Sequence, residues 1–144
     1  MGLPVGEVQT SVVTLLRADT TLQGLLVGAI SPRWSIFDST GVPTLQPFPY
    51  IVLNIVTGSI GTLLVMGTDA VDVRVQVATF DQNIGFERSR GIAKRVHTLI
   101  EWQTITLTGG FTAVYNAIEM YQEVPQKDGL TTQIVQRYKF MISG

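Results

Sequence analysis

The stretch that decides the fold begins with Asp69-Ala-Val-Asp-Val-Arg-Val-Gln-Val-Ala-Thr-Phe80, in which apolar and polar residues alternate almost without a break. A period of two places alternate side chains on one face of a β-strand, so the valines face a core and the polar residues face outward. After Asp81-Gln-Asn the spacing becomes helical and continues to Trp102. Residues 69–102 therefore predict a half-buried strand that leads into a core-facing helix.

The predicted helix is amphipathic, with an apolar stripe on one side and polar residues on the other. The stripe comprises Ile92, Val96, Leu99 and Ile100, and the opposite face carries Arg90, Lys94, His97 and Glu101. The only histidine, His97, lies one turn before Glu101. A solvated i,i+4 pair of these two residues is favoured over a general base oriented by a carboxylate.

Two helices, a long loop and a strand precede this unit. The first helix is indicated by apolar residues at helical spacing, namely Val5, Val8, Val12, Leu15 and Leu16. Asp19-Thr-Thr caps a short second helix over residues 22–27. Residues 31–48 contain three prolines and predict a long loop. Residues 49–56 predict a strand that is apolar on both faces and therefore central in its sheet.

Hairpins connect the other predicted strands. Residues 57–68 are rich in glycine and predict the tip of a long hairpin that leads into the 69–80 strand. The C-terminal third predicts strands over residues 104–108, 111–124 and 131–142. Strict alternation along the second of these puts Ile118 and Met120 on one face. It puts Glu119 and Glu123 together on the other face, roughly 13 Å apart.

This order of elements predicts an α+β fold in which helices cover one face of a mostly antiparallel sheet. A length of 144 residues predicts a single domain over residues 1–144. Apolar residues make up 45% of the chain and charged residues 15%, where about a quarter is usual. Two explanations stay open: a well-filled core, or surface that is hidden in an oligomer.

The composition argues against catalytic and cofactor chemistry. The chain has no cysteine and one histidine, so neither a disulfide framework nor a metal site is expected. Glycine-rich phosphate-binding motifs do not occur in the sequence. The apolar runs are far shorter than the roughly 20 residues that span a membrane. The sequence therefore predicts a protein that is not an enzyme and that needs no cofactor.

Two apolar segments and one basic cluster are the candidate contact sites. The apolar candidates are Ile60, Leu63, Leu64 and Met66 in the hairpin tip, and Trp34, Ile36 and Phe37 in the long loop. Exposed apolar groups of this size mark interfaces, unless the two segments fold back over the sheet. The basic cluster consists of Arg88, Arg90, Lys94 and Arg95, of which Arg88 and Arg95 flank the apolar stripe. It is either a contact for nucleic acid or an acidic partner, or a solvated helix face.

Several segments together resemble a known family. They are Leu15-Leu-Arg-Ala-Asp19 before Leu22-Gln-Gly-Leu-Leu26, Pro47-Phe-Pro-Tyr-Ile-Val-Leu53, Tyr121-Gln-Glu-Val124, Asp128-Gly-Leu130 and Arg137-Tyr-Lys-Phe140. With the alternating strand and its helix, they are similar to the tail-completion, or tail-terminator, proteins of long-tailed bacteriophages. The resemblance covers nearly the whole chain.

The resemblance implies a structural virion protein, assembled in the host cytoplasm, that caps the head-proximal end of the tail tube. Members of that family form a homohexameric ring that ends tube polymerisation and presents a surface for head–tail joining. The implied partners are further copies of the chain, the tail tube protein and the head connector. DNA only passes through the lumen, and no membrane is involved. The alternatives are a head-completion or neck connector protein and, from another class, a small nucleic-acid-binding module.

Overall fold

The computed structural model describes residues 5–26, 36–38, 48–63, 68–82, 85–107, 110 and 112–143. Within these residues it contains three helices and six strands. In chain order they are α1 (Val5–Ala18), α2 (Thr20–Leu25), β1 (Ile36–Asp38), β2 (Tyr50–Leu63), β3 (Thr68–Gln82), α3 (Glu87–Ile100), β4 (Ile105–Thr106), β5 (Thr112–Pro125) and β6 (Thr131–Ser143). None of the described helices has the length and hydropathy of a membrane span.

The strands form one sheet in the order β1-β2-β3-β6-β5-β4. The short strand β1 runs parallel to β2, and every other neighbouring pair is antiparallel. Helix α1 lies against β1, β2 and β3, whereas α3 lies against β3, β6 and β5. The predicted α+β fold, with helices on one face of a mostly antiparallel sheet, is confirmed.

Strand β3 occupies the middle of the sheet with the alternation that its sequence predicts. Val73, Val75 and Val77 are fully buried on the helix-covered face, while Arg74 and Gln76 on the other face are half-buried. The core is completed from both layers by Val8, Val12 and Leu16 of α1, Ile92, Val96 and Ile100 of α3, and Tyr138, Phe140 and Ile142 of β6. Residues far apart in the sequence are therefore joined through one apolar layer.

The predicted 31–48 loop contains a strand, because residues 36–38 pair in parallel with β2 through Ile36↔Ile51. Ile36 is fully buried in the core. The ring of Phe37 meets Tyr50 edge-on at a centroid distance of 6.3 Å. Prolines on either side of so short a strand concealed it, since its strand character comes from pairing with β2 and not from local propensity.

The prediction that Glu119 and Glu123 share a strand face is wrong, because β5 carries a bulge. The pairing register slips between Ile118 and Met120, which lie opposite Tyr138 and Arg137 of β6 respectively. An extra residue reverses the alternation of every side chain that follows it. Ile118 and Met120 therefore face opposite sides of the sheet, and so do the two glutamates.

The β2–β3 hairpin extends beyond the rest of the sheet. Its ladder continues to Leu63↔Thr68, whereas β6 pairs with β3 only as far as Val71↔Ile142. Residues 61–63 and 68–70 thus have only each other as strand partners among the described residues; we call these two segments the β2–β3 ribbon. Three residue pairs extend roughly 10 Å past the sheet. A register slip between Ile55 and Thr57 lies near the base of this extension.

The burial pattern of β3 predicts a clear difference between the two sheet faces. Val75→Thr places a hydroxyl in the apolar core, and we expect it to lower the free energy of unfolding by about 1–3 kcal/mol. The matched control is Asn54→Thr on β2, where the native side chain is exposed; it should change stability by less than about 0.5 kcal/mol. Urea denaturation followed by circular dichroism measures both. Equal effects would contradict the assigned faces.

Candidate interaction surfaces

Three arginines of α3 each bind a carboxylate on a different element. Arg88 donates from Nε to Asp81 Oδ2 of β3 at 2.7 Å. Arg90 donates from Nη2 to Glu123 Oε1 of β5 at 2.7 Å.

Arg95 reaches the α1–α2 junction, where its Nε and Nη2 donate to the two oxygens of Asp19 at 2.9 and 2.8 Å. The same carboxylate caps α2 by accepting the Leu22 N–H at 2.8 Å. Helix α3 is thereby attached by side chains to β3, β5 and α2.

These ion pairs determine how many cations of the basic cluster remain available to a partner. Arg88 and Arg95, predicted as interface residues, lie along α3 as expected, but their guanidinium groups are held within the chain. Asp81 is fully buried, so its pairing with Arg88 compensates a charge that has lost its water. Local carboxylates neutralise three of the four cations, leaving Lys94 as the cation of the cluster with no such pair among the described residues. A surface neutralised in this way attracts phosphate groups weakly.

The pKa values of the paired acids follow from these contacts. Hydrogen bonding from Arg95, helped by the Leu22 N–H, lowers the pKa of Asp19. Hydrogen bonding from Arg90 lowers the pKa of Glu123, and Tyr121 contributes a further hydrogen bond to that carboxylate. Both groups are thus held in the ionised form.

The predicted solvated pair of His97 and Glu101 does not form. Glu101 Oε2 instead accepts the backbone N–H of Ile118 at 2.8 Å, at the point where β5 bulges. His97 is half-buried with its ring 6.3 Å from that of Tyr138. Burial raises the pKa of Tyr138, and the nearby Glu101 carboxylate raises it further. Glu101 therefore has a structural role, as the hydrogen-bond acceptor for the backbone of the β5 bulge.

Within the part of the chain that the structure describes, the acidic residues do not assemble into a metal site. Across the described parts of the chain, no three histidine, cysteine, aspartate or glutamate side chains converge. Glu119 and Glu123, which the sequence placed together, bind Arg74 on one face of the sheet and Arg90 on the other.

The apolar candidates fall into three groups. Ile36 is part of the core, so its side chain is not available to another chain, and Phe37 is half-buried beside Tyr50. Ile60 and Leu63 belong to β2, and Leu63 lies within the β2–β3 ribbon. Trp34, Leu64 and Met66 lie outside the described residues.

The sequence reasoning missed a groove of about 600 Å³ between α1, the C-terminal end of α3 and β4. Leu15, Leu99 and Ile105 contribute its apolar surface, and its other lining residues carry hydroxyl or amide groups. One available signal was the polar face of α1, where Thr10, Ser11 and Thr14 replace the charges that usually solubilise a helix. Trp102, 64% exposed and with φ of 59°, directly precedes the groove residue Gln103.

Comparison with known proteins identifies similar sequences and folds. The sequence model of one family, described as Tail completion protein gp17, matches residues 10–143. A chain of a solved structure, "Virion of native gene transfer agent (GTA) particle", superimposes with a TM-score of 0.74. The two chains share 15% identity, and the match covers 97% of each. No curated protein sequence matches significantly.

The Arg88–Asp81 pair, whose carboxylate is buried, should contribute more to stability than the more exposed Arg74–Glu119 pair. Asp81→Asn removes the charge that pairs with Arg88, whose side chain is 36% exposed, and we expect a loss of about 1–3 kcal/mol in unfolding free energy. Glu119→Gln breaks the more exposed pair with Arg74 and should cost less than about 1 kcal/mol. Chemical denaturation at neutral pH compares the two variants. A larger loss in Glu119→Gln would contradict the assigned burial.

The lowered pKa of Asp19 predicts a stability component that depends on pH. Because its folded pKa lies below the unfolded value, this component is complete above the unfolded pKa of about 3.9 and is lost as the pH falls through the folded pKa. The stability difference between the native chain and Asp19→Asn should therefore shrink below about pH 4. Denaturation curves across this pH range measure it.

The matched control removes the cation that lowers the pKa of Asp19. In an Arg95→Gln background, Asp19→Asn should show a weaker dependence on pH, since the main cause of the shift is absent. An unchanged dependence would show that Arg95 is not the cause.

Proposed function

The chain belongs to the Tail completion protein gp17 family, and we propose that it is a structural virion protein that caps the head-proximal end of the phage tail tube. In this role it ends tube polymerisation and provides the surface at which head and tail join. It works by binding and catalyses no reaction. Residues 1–144 act as a single tail-terminator-like domain.

The family match carries this proposal, because it extends from residue 10, within α1, to the end of β6. The likeness of fold to a chain of a gene transfer agent particle is consistent with it. The ion pairs of α3 also favour assembly over nucleic-acid binding, since they neutralise the cations that a phosphate backbone requires. DNA is proposed only to pass through the lumen.

The partners in the proposal are further copies of the chain in a ring of six, the tail tube protein and the head connector. A closed ring requires heterologous contacts, in which two different surfaces of each subunit meet. The low share of charged residues, 15%, suits a chain that buries part of its surface in such contacts.

The β2–β3 ribbon is the surface that we assign to assembly. A hairpin of two strands is marginally stable in water unless other structure covers it. The ribbon lacks a third strand among the described residues, and the hairpin tip contributes Ile60, Leu63, Leu64 and Met66 to the sequence. Contact with a neighbouring subunit or with the tube stabilises it.

Negative-stain images of the purified protein, alone and with tail tubes, test the proposed function directly. Rings on one end of each tube, with tube growth halted, are the expected result. Binding to portal-bearing heads but not to tubes would identify a head-completion or neck connector protein instead. Binding to DNA that weakens with salt would favour the nucleic-acid module.

The Leu63→Asp, Leu64→Asp double variant tests the assembly surface. Charges buried at an interface lack compensation, so we expect association with other copies or with tubes to weaken by at least about 2 kcal/mol. The matched control, Thr20→Asp with Thr21→Asp, places two adjacent charges on the exposed side of α2. Light scattering and tube co-sedimentation measure association, and circular dichroism verifies folding. Unchanged association in a folded double variant would refute the assignment.

A further inference from the structure

Three rows of paired residues cross the sheet from β1 to β5 by way of β2, β3 and β6. The rows begin at Ile36, Phe37 and Asp38 and end at Glu123, Gln122 and Tyr121, respectively. Strand β1 pairs with β2 alone among the described strands, and β4 pairs with β5 only at residues 112–113. Within the described part of the chain, each row therefore ends at a strand edge on both sides of the sheet.

The directions of the strands suit a contact between these two edges. Strand β1 runs parallel to β2, and each further neighbour in the order β2-β3-β6-β5 is antiparallel. Strands β1 and β5 consequently run in opposite directions. A second copy that lies beside the first in the same orientation brings its β1 antiparallel to β5, which is the slightly more stable of the two pairings.

The free part of the β5 edge begins beyond the segment that follows α3. The N–H of Trp102 donates to the carbonyl of Asn116 at 3.0 Å, and Glu101 Oε2 accepts the N–H of Ile118 at 2.8 Å. Residues 121–123 have no such partner on this edge within the described ranges. Alternate residues of an edge strand direct their N–H and C=O groups outward, so this stretch can bind an added strand.

The charges along the two edges are complementary. Arg17 donates from Nε and Nη2 to the carbonyl of Ile36 at 3.1 and 2.6 Å, so a cation lies at the start of β1. Asp38 at the end of β1 is exposed and forms no ion pair with the described residues. When the rows continue into a second copy, Ile36 lies opposite the carboxylate-bearing Glu123, and Asp38 lies opposite Tyr121.

A cleft of about 290 Å³ between α3 and β5 lies where Asp38 of a second copy arrives. Tyr121 and the exposed Lys94 both line it. Asp38 lies on the helix-covered side of its own sheet, because it follows the buried Ile36 by two residues and pairs with the buried Leu53. The cleft is on that same side of the sheet. Lys94 is therefore the cation that the incoming carboxylate meets.

We propose that β1 of one copy adds as a strand to the free edge of β5 in the next copy, with Asp38 beside Lys94. We call this contact the β1–β5 joint. Because the two edges are different surfaces, the joint is heterologous, and its repetition closes a ring when the rotation between copies permits. The inference rests on the proposed function in one respect, namely that copies of the chain assemble with one another.

Cysteine cross-linking tests the β1–β5 joint, since the chain contains no cysteine. In one chain, the positions of the Asp38→Cys, Tyr121→Cys double variant are four strand spacings apart, roughly 19 Å, so a disulfide forms only between copies. Oxidation after assembly on tail tubes should give a ladder of linked chains. The control, Asp38→Cys with Thr20→Cys on the exposed side of α2, should give several-fold less. A second pair, Phe37→Cys with Gln122→Cys, repeats the test with Asp38 in place.

Charge reversal provides an independent measurement of the same joint. Asp38→Lys places a second cation beside Lys94, and Lys94→Glu places a second carboxylate beside Asp38. We expect each to weaken association by about threefold or more, and the combination to recover it to within about twofold of the native chain. Light scattering and tube co-sedimentation measure association. Both residues are exposed, so circular dichroism should show a native fold in all three variants.

The outcomes separate this inference from the proposed function. Folded cysteine variants that assemble on tubes but give no ladder from either pair would overturn the joint and leave tube capping intact. Loss of tube binding in Asp38→Lys without any ladder would assign this edge to another partner, and would likewise overturn the joint. Failure of the native protein to associate with itself or with tubes would refute both proposals. A ladder together with recovery in the double charge variant supports the joint.

Discussion

The structure depends on the burial of one face of β3 beneath α1 and α3. Val73, Val75 and Val77 bring the two helices and the neighbouring strands into a common apolar layer. A shift of one residue in the pairing of β3 would expose all three valines, so burial also fixes the register with β2 and β6. That register sets where β6 ends beside β3 and hence how far the β2–β3 ribbon extends.

The sequence predicted the parts of the fold whose pattern is local. Alternation identified β3, helical spacing identified α1 and α3, and Asp19 was recognised as a cap. The features that it did not predict arise from pairing between distant residues. Ile36 became part of a strand by pairing with β2. A bulge next to Ile118, where Glu101 from just after α3 accepts a backbone hydrogen bond, reversed the alternation along β5. Neither the pairing of β1 with β2 nor the bulge in β5 produces a periodic pattern in the local sequence.

The same distinction, between local sequence patterns and contacts of distant residues, applies to the candidate surfaces. The basic cluster was identified from residues that share a helix, whereas the carboxylate partners of its arginines, Asp81, Glu123 and Asp19, lie outside that helix. The groove was missed because its walls come from elements distant in the sequence. In contrast, the hairpin that carries the ribbon was visible from glycines and apolar residues alone, since both of its strands are contiguous.

The position of Trp102 in the fold has a practical use. Its left-handed backbone is fixed by a hydrogen bond of 3.0 Å from its own N–H to the carbonyl of Asn116, and its indole is largely in water next to the groove residue Gln103. The chain has only two tryptophans. With Trp34 replaced by phenylalanine, the emission of Trp102 becomes a built-in optical reporter of whatever covers this end of α3, without any attached dye.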